Sequence, residues 1–586
     1  MVLKGKSVSR GVAIGNVMRY TPFCPKINEE KIPEGLAAAA VTSYEAARNK
    51  AETELKELEK RLLTHSPGQA KIMGAHMDIL NDPAMDEEIK ELIERELFSP
   101  DAAAAQVYDC YAGILSASGN ELMRERAADL LDVKIRLLRC WAGVPECNLS
   151  ALERPAIIVA DDLFPSDTAG IDRENVLGII TQTGGSTSHT AIIAKSYEIP
   201  AVLGVSGALE QLEDGETVIL DAEEGLIHTS PTEEQLREFA QKAERVSAGL
   251  REEKLYLNSE PVTVDGVRVE IRLNVAAASD QELSKAVYSD GCGLFRTEFL
   301  YLDREHCPTE GEQYEVYSKV LRAFGDKPVI LRTMDIGGDK QLPGLELPKE
   351  QNPFLGVRGL RLSLKQEELF RTQVRAVLRA SIHGKLKVMF PMVGALDELR
   401  RAKKIFREEE EALDARGIQW DKNIQIGIMV EVPSIALIAD FAAEEADFVS
   451  VGTNDLTQYL CAADRMNPEV GGYYQEYHPA VFRILGHLAN TFNAAGKEIS
   501  ICGELGGDSL ALPALIGLGI RQFSMGAASL GAAKRTVRHL KMEDSQKLAK
   551  MVLRQKTHQD TELLLKEFSS SKMRNEGSAE ICTAKK

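Results

Sequence analysis

The chain has 586 residues, 44% hydrophobic and 27% charged, a length that exceeds one hydrophobic core and implies roughly three to five domains. Its formal net charge of −19 disfavours nucleic acid as a general partner. No apolar run reaches membrane length, the N-terminus lacks a signal-peptide core, and nine cysteines occur singly without a CxxC pair, so a cytoplasmic chain with no membrane insertion is expected.

The opening run GKSVSRGVAIGNV and the later runs RPAIIVADD, VLGIITQT, AVLGV and ETVILDAEEGLIHTS read as strands. The last is a hairpin turning near Glu224-Gly225. Together they predict a small α/β domain over 1–33 and 146–231. Residues 34–145 have a helical period instead. One long amphipathic helix starts at Leu36, and PAMDEEIKELIEREL, DAAAAQVYDCYAGILSA and ELMRERAADLLDVKIRLLRCWAG supply three more, with breaks at Asn81-Asp82-Pro83 and Ser99-Pro100. That predicts an inserted four-helix bundle.

Residues 232–260 read as a charged helical linker, whose roughly 25 helical residues would span about 37 Å, with a hinge near Asn258-Ser259-Glu260-Pro261. From 261 to about 570 strand and helix alternate. VRVEIRLNV, GLFRTEFL, PVILRTMDI, KVMFPMV, IQIGIMVEV, FVSVGTND, EISICGE and QFSM make eight β/α repeats, the count that closes a TIM barrel. An open doubly wound sheet is the alternative. Residues 571–586 read as a polar, disordered tail.

Two groups of residues carry chemistry. In GGSTSHTAIIAK, two glycines end a strand and an apolar helix follows, which puts His189 in a helix's first turn among unpaired N–H groups. A histidine there can accept a phosphoryl group as well as bind an anion. The second group sits where a barrel keeps its chemistry, at the strand ends: Arg296, Arg332, Glu431, Asn454, Asp455 and Cys502. Glu431 and Asp455 are hard oxygen ligands suited to Mg2+, and Arg296 and Arg332 offer planar forks for phosphate. Arg465 and Arg358 extend that set, although Arg358 and Arg361 read equally well as loop ion-pair partners. Cys502, a thiol beside a glycine, could deliver a proton or fill a core position. Mg2+, arginines and a proton donor suit a phosphorylated enol acid, with phosphoenolpyruvate the obvious candidate and His189 the acceptor.

The runs GGSTSHTAIIAK, RTEFL, RTMDIGGDK, NPFLGVRGLR, MVEVPS, DFVSVGTNDLTQYLCAADR and ICGELGGD resemble enzyme I of the bacterial sugar phosphotransferase system. The resemblance covers residues 1 to about 570, including ERAADLLDVKIRLLR of the helical insert. It implies His189 as a phosphohistidine modified on Nε2 and Thr168 as the residue orienting its other nitrogen. It further implies Arg296, Arg332, Asn454, Asp455 and Arg465 as phosphoenolpyruvate contacts, Glu431 and Asp455 as Mg2+ ligands, and Cys502 as proton donor. The phosphocarrier HPr would dock on the helical insert, pyruvate would be released, and the barrel would carry a homodimer contact. Three features depart from the family pattern: Ser186 and Lys195 stand where arginine is usual, and ICGELGGDSLALP varies a more typical run. A dikinase or phosphoenolpyruvate synthase would need a nucleotide-binding domain, for which no Gly-rich phosphate loop is present. The other rival is a phosphoprotein whose barrel only senses phosphoenolpyruvate.

Overall fold

The structure, a computed structural model, describes every residue except Met1, 21–26, 29, 63–66, 118–120, 145–148, 150–151, 153, 164–170, 172–174, 185–188, 302–305, 338–349, 466 and 584–586. The chain divides into two compact units, Met1–Gly249 and Leu250–Lys586.

The first unit is built on an eight-stranded mixed sheet. Its strands are β1 (Val2–Lys4), β2 (Lys6–Ser9), β3 (Val12–Arg19), β4 (Ala156–Ala160), β5 (Val176–Thr181), β6 (Ala201–Leu203), β7 (Thr217–Asp221) and β8 (Leu226–Thr229). They lie in the order β1-β8-β7-β3-β4-β5-β6-β2. Strand β4 shows why a continuous apolar run became a strand. Ile157 and Val159 enter one core cluster while Ile158 and Ala160 enter another, as expected for period-2 side chains in a sheet covered on both faces. β7 and β8 form the expected hairpin, with Gly225 in the turn at a φ of 69°. The helix α6 (His189–Tyr197) follows β5.

The helical insert has five described helices rather than the four expected: α1 (Ala37–Leu62), α2 (Pro67–Leu80), α3 (Pro83–Glu94), α4 (Pro100–Ala117) and α5 (Glu121–Trp141). The addition is α2, whose sequence PGQAKIMGAHMDIL carries two glycines that weaken its helical signal. Packing supplies what propensity lacks, since Met73, His76 and Leu80 are buried at helical spacing. Asp82 caps α3 by accepting from the N–H groups of Ala84 and Met85, with Pro83 in the first turn.

Helix α7 (Glu233–Leu255) is continuous and runs into a short 3-10 turn at Tyr256–Asn258. Within the first unit Lys242 of α7 pairs with the buried Asp221. Within the second, Glu252 pairs with Arg535 at 3.0 Å. The division between units therefore falls inside α7, between Gly249 and Leu250.

The second unit is a closed barrel of eight parallel strands: β9 (Glu270–Val275), β10 (Cys292–Phe295), β11 (Pro328–Arg332), β12 (Lys385–Phe390), β13 (Gln425–Val430), β14 (Phe448–Val451), β15 (Glu498–Ile501) and β16 (Gln522–Met525). Closure is made by β16 on β9, with Met525 opposite Leu273, so the open-sheet alternative falls. Leu294, Ile330, Met389, Met429 and Phe448 plug the barrel interior together with Cys502. The last helix, α8 (His558–Thr583), replaces most of the tail expected to be disordered. It grows from an anchored start, Leu565 being fully buried, and no proline interrupts it. Among the described residues no helix is long and apolar enough to cross a membrane.

Candidate active site

Strand geometry delivers the predicted barrel residues to one end. Arg296 follows β10, Arg332 ends β11, Glu431 follows β13 and Cys502 follows β15. Asn454 and Asp455 enter on the first turn of the helix Thr453–Cys461, just past β14. That helix ends at Ala462, whose φ of 50° turns the chain toward Arg465. Arg358 comes from the loop before the helix Leu360–Lys365. All eight residues line one cavity of about 340 Å³.

Two glycines make this crowding possible. A Cβ on Gly452 would stand 2.7 Å from Glu431 Oε2, and one on Gly503 only 2.0 Å from Thr453 Oγ1. Only the missing side chains let the turn after β14 approach those after β13 and β15 this closely.

The cavity alternates buried charges of both signs. Arg332 Nη2 lies 3.2 Å from Glu298 Oε1, and its Nη1 lies 3.0 Å from Asp335 Oδ2. Arg358 reaches Asp335 Oδ2 at 3.1 Å and Asp455 Oδ1 at 3.2 Å. Arg465 approaches Asp455 Oδ1 at 3.9 Å. Burial opposes the charge on Arg332, but Glu298 and Asp335 outweigh it and hold the guanidinium protonated above its usual range. Asp335 is likewise held below the usual carboxylate range, with Arg332 and Arg358 overcoming burial. The opposite holds for Glu431, whose carboxyl is pushed up to about 8 by burial and then by Asp335 and Asp455. Its Oε1 accepts the Met392 N–H at 2.6 Å, while Oε2 is buried without a hydrogen-bond partner. Burial pushes the Cys502 thiol up to about 11, so it is a proton-bearing group at neutral pH. Asn454 Oδ1 accepts from the Glu504 N–H at 2.9 Å, tying its turn to that of Cys502.

Glu298 and Asp335 escaped the sequence reading although both stand in the motifs RTEFL and RTMDI. The available signal was their spacing, two and three residues after Arg296 and Arg332. In the first unit, His189 opens α6 as expected, where the structure describes its backbone. The next residue, Thr190, is buried, and its hydroxyl donates to Asp162 Oδ1 at 3.0 Å, which pins the first turn of α6. Thr168 and Ser186 lie outside the described residues. Lys195 is exposed on α6.

Three family models match in order: PEP-utilising enzyme, N-terminal, at residues 4–126, its mobile domain at 152–225, and its PEP-binding domain at 251–542. The phosphoenolpyruvate-protein phosphotransferase of Bacillus sp. (strain S) is 42% identical over 94% of this chain and 95% of its own. The chain belongs to the phosphoenolpyruvate-protein phosphotransferase (enzyme I) family. The relatives of that name from Geobacillus stearothermophilus, at 42% identity over the same shares, and Bacillus subtilis (strain 168), at 40% over 96% and 99%, agree. His189 falls in the stretch matched by the mobile domain, and the residues lining the cavity fall in the stretch matched by the PEP-binding domain.

Proposed function

We propose that this chain takes the phosphoryl group of phosphoenolpyruvate onto His189 and passes it to a histidine of the phosphocarrier HPr, releasing pyruvate. The observation that carries this reading is the single cavity in which four arginines, two candidate metal ligands, an amide and a thiol meet. Arg296, Arg332, Arg358 and Arg465 bind the phosphate and carboxylate oxygens, and Asn454 adds an amide.

Glu431 and Asp455 fit a divalent cation. Glu431 keeps one buried oxygen without a partner, and both groups are hard oxygen donors. Two protein carboxylates suit Mg2+, which leaves its remaining positions to water and substrate. When bound, Mg2+ supplies Lewis-acid stabilisation of charge on substrate oxygens.

Nε2 of His189 forms a bond to phosphorus as the bond from phosphorus to the enol oxygen breaks, and its electron pair stays on that oxygen as an enolate. On the same reading, the role of orienting the other ring nitrogen falls to Thr168. The enolate carbon takes a proton from Cys502 Sγ, giving pyruvate, and the thiolate recovers a proton from solvent. The phosphoryl group then leaves Nε2 for the histidine of HPr docked on the helical insert.

The same reading divides the chain into the α/β domain at 1–33 and 146–231, the helical insert at 34–145, a linker at 232–260, the barrel at 261–570 and a tail at 571–586. It places the protein in the cytoplasm as a homodimer held through the barrel. Incubation with labelled phosphoenolpyruvate and Mg2+, followed by mapping of the label, tests the central claim. The label is expected on His189 in an acid-labile, base-stable bond. Label on serine, or unchanged labelling of His189→Ala, overturns it.

A further inference from the structure

Arg358 is shared between two carboxylates. Its Nε and Nη2 lie 3.3 and 3.1 Å from the two oxygens of Asp335, a side-on pair. Its Nη1 and Nη2 lie 3.2 and 3.5 Å from the two oxygens of Asp455. The side chains of all three are buried, that of Asp335 being 3% exposed and those of Arg358 and Asp455 9% each. Water therefore does little to screen them, and what one carboxylate gains of the guanidinium the other loses.

Asp335 is the fixed member of this trio. Its backbone N–H donates to Glu298 Oε1 at 2.9 Å, and its Oδ2 also holds Arg332 Nη1 at 3.0 Å. The backbone at Gly359 also runs close by, since a Cβ there would lie 3.1 Å from Asp335 Oδ1. Asp455 must be at least partly unneutralised to hold a cation, and a guanidinium paired with it alone would compete directly for the same oxygens.

We propose that Asp335 is a positioning residue that sets divalent-cation affinity at Glu431 and Asp455, acting through Arg358 by keeping that guanidinium shared. The proposal rests on the reading of Glu431 and Asp455 as the metal pair. Neutralising Asp335 releases Arg358 to Asp455 and weakens cation binding. Removing Arg358 strengthens cation binding and abolishes the effect of Asp335.

A double-mutant cycle with Mn2+ alone, bound to the full chain without phosphoenolpyruvate and followed by titration calorimetry or by the spin resonance of free Mn2+, tests this. Asp335→Asn keeps the shape of the side chain, and a weakening of about 10- to 100-fold is expected, the usual effect of losing an outer partner of a metal ligand. In the Arg358→Gln background the same change should move affinity by no more than about twofold. If Asp335 acted only as one more nearby negative charge, the weakening would be equal in both backgrounds, and that result overturns the proposal. Arg358→Gln alone decides the matter should Asp335→Asn fail to fold, because the proposal requires Mn2+ to bind more tightly in it. Unchanged or weaker binding there overturns it. Wild-type protein that binds no Mn2+ overturns the metal reading and this proposal together, whereas wild-type binding with additive effects overturns this proposal alone.

Discussion

The backbone N–H of Met392 donates to Oε1 of Glu431 over 2.6 Å, from a left-handed backbone with a φ of 56°. A non-glycine residue in that region costs on the order of 1–3 kcal/mol, so the turn after β12 is strained in the place where it grips this carboxylate. The grip leaves Oε2 as the oxygen free to serve a cation.

Glu431→Gln keeps the shape and the acceptor for Met392 but replaces the second carboxylate oxygen, the one a cation would take, with an amide nitrogen that cannot ligate it. It should fold and lose Mg2+-dependent pyruvate release by more than about 100-fold, the upper end of what an outer partner contributes. Turnover within a few-fold of the parent across a Mg2+ series removes Glu431 from the site.

Gly503 permits no substituent. With a Cβ placed 2.0 Å from Thr453 Oγ1 and 2.7 Å from its backbone N, Gly503→Ala must push apart the turns that carry Cys502 and Asn454. An overpacking cost of about 1–3 kcal/mol is expected, with cooperative unfolding retained and turnover lost. Normal kcat in this variant would show that the two turns need no fixed separation.

These relationships mark where sequence reading stops. The eight barrel strands were legible as short apolar runs separated by helical segments, and on β10, β11, β13 and β15 the residue at or just past the strand end is a candidate site residue: Arg296, Arg332, Glu431 and Cys502. Helix α2 was not, because its glycines blur the helical period and only burial of Met73, His76 and Leu80 reveals its role. Glu298 and Asp335 looked like ordinary acids beside arginines. Their meaning depends on being buried against Arg332 and Arg358, and Arg358 lies 23 residues further along the chain than Asp335. The helical end of α8 was hidden in a polar composition that is compatible with helix once Leu565 anchors its start.

Asp82 tests the helical insert apart from the chemistry. Its Oδ1 accepts from Ala84 N–H at 2.9 Å and from Met85 N–H at 3.1 Å. Asp82→Ala should lower the stability of the insert by about 0.5–2 kcal/mol. Denaturant unfolding followed by circular dichroism reads that loss, while phosphorylation of the chain by phosphoenolpyruvate should keep its rate. A stability change near zero would mean that Pro83 and packing alone start α3.

Cys502 bears the most specific chemical claim. It is 3% exposed at the closed floor of the cavity, among Leu294, Met429 and Phe448. Burial is the main cause that pushes its thiol up to about 11. A raised thiol pKa means the proton is held at every pH below that value, so the group is an acid, not a nucleophile, in the working range. Two measurements follow. Iodoacetamide at pH 8 should alkylate the exposed Cys110 well before Cys502. Cys502→Ala should still bind phosphoenolpyruvate and lose about 100- to 10,000-fold in pyruvate formation, the span of a general acid. The pH profile of the wild-type chain should show no alkaline fall attributable to this thiol until about pH 10 or above. A loss of only a few-fold in Cys502→Ala would assign protonation of the enolate carbon to water, and the thiol would then be a small core residue that happens to end β15.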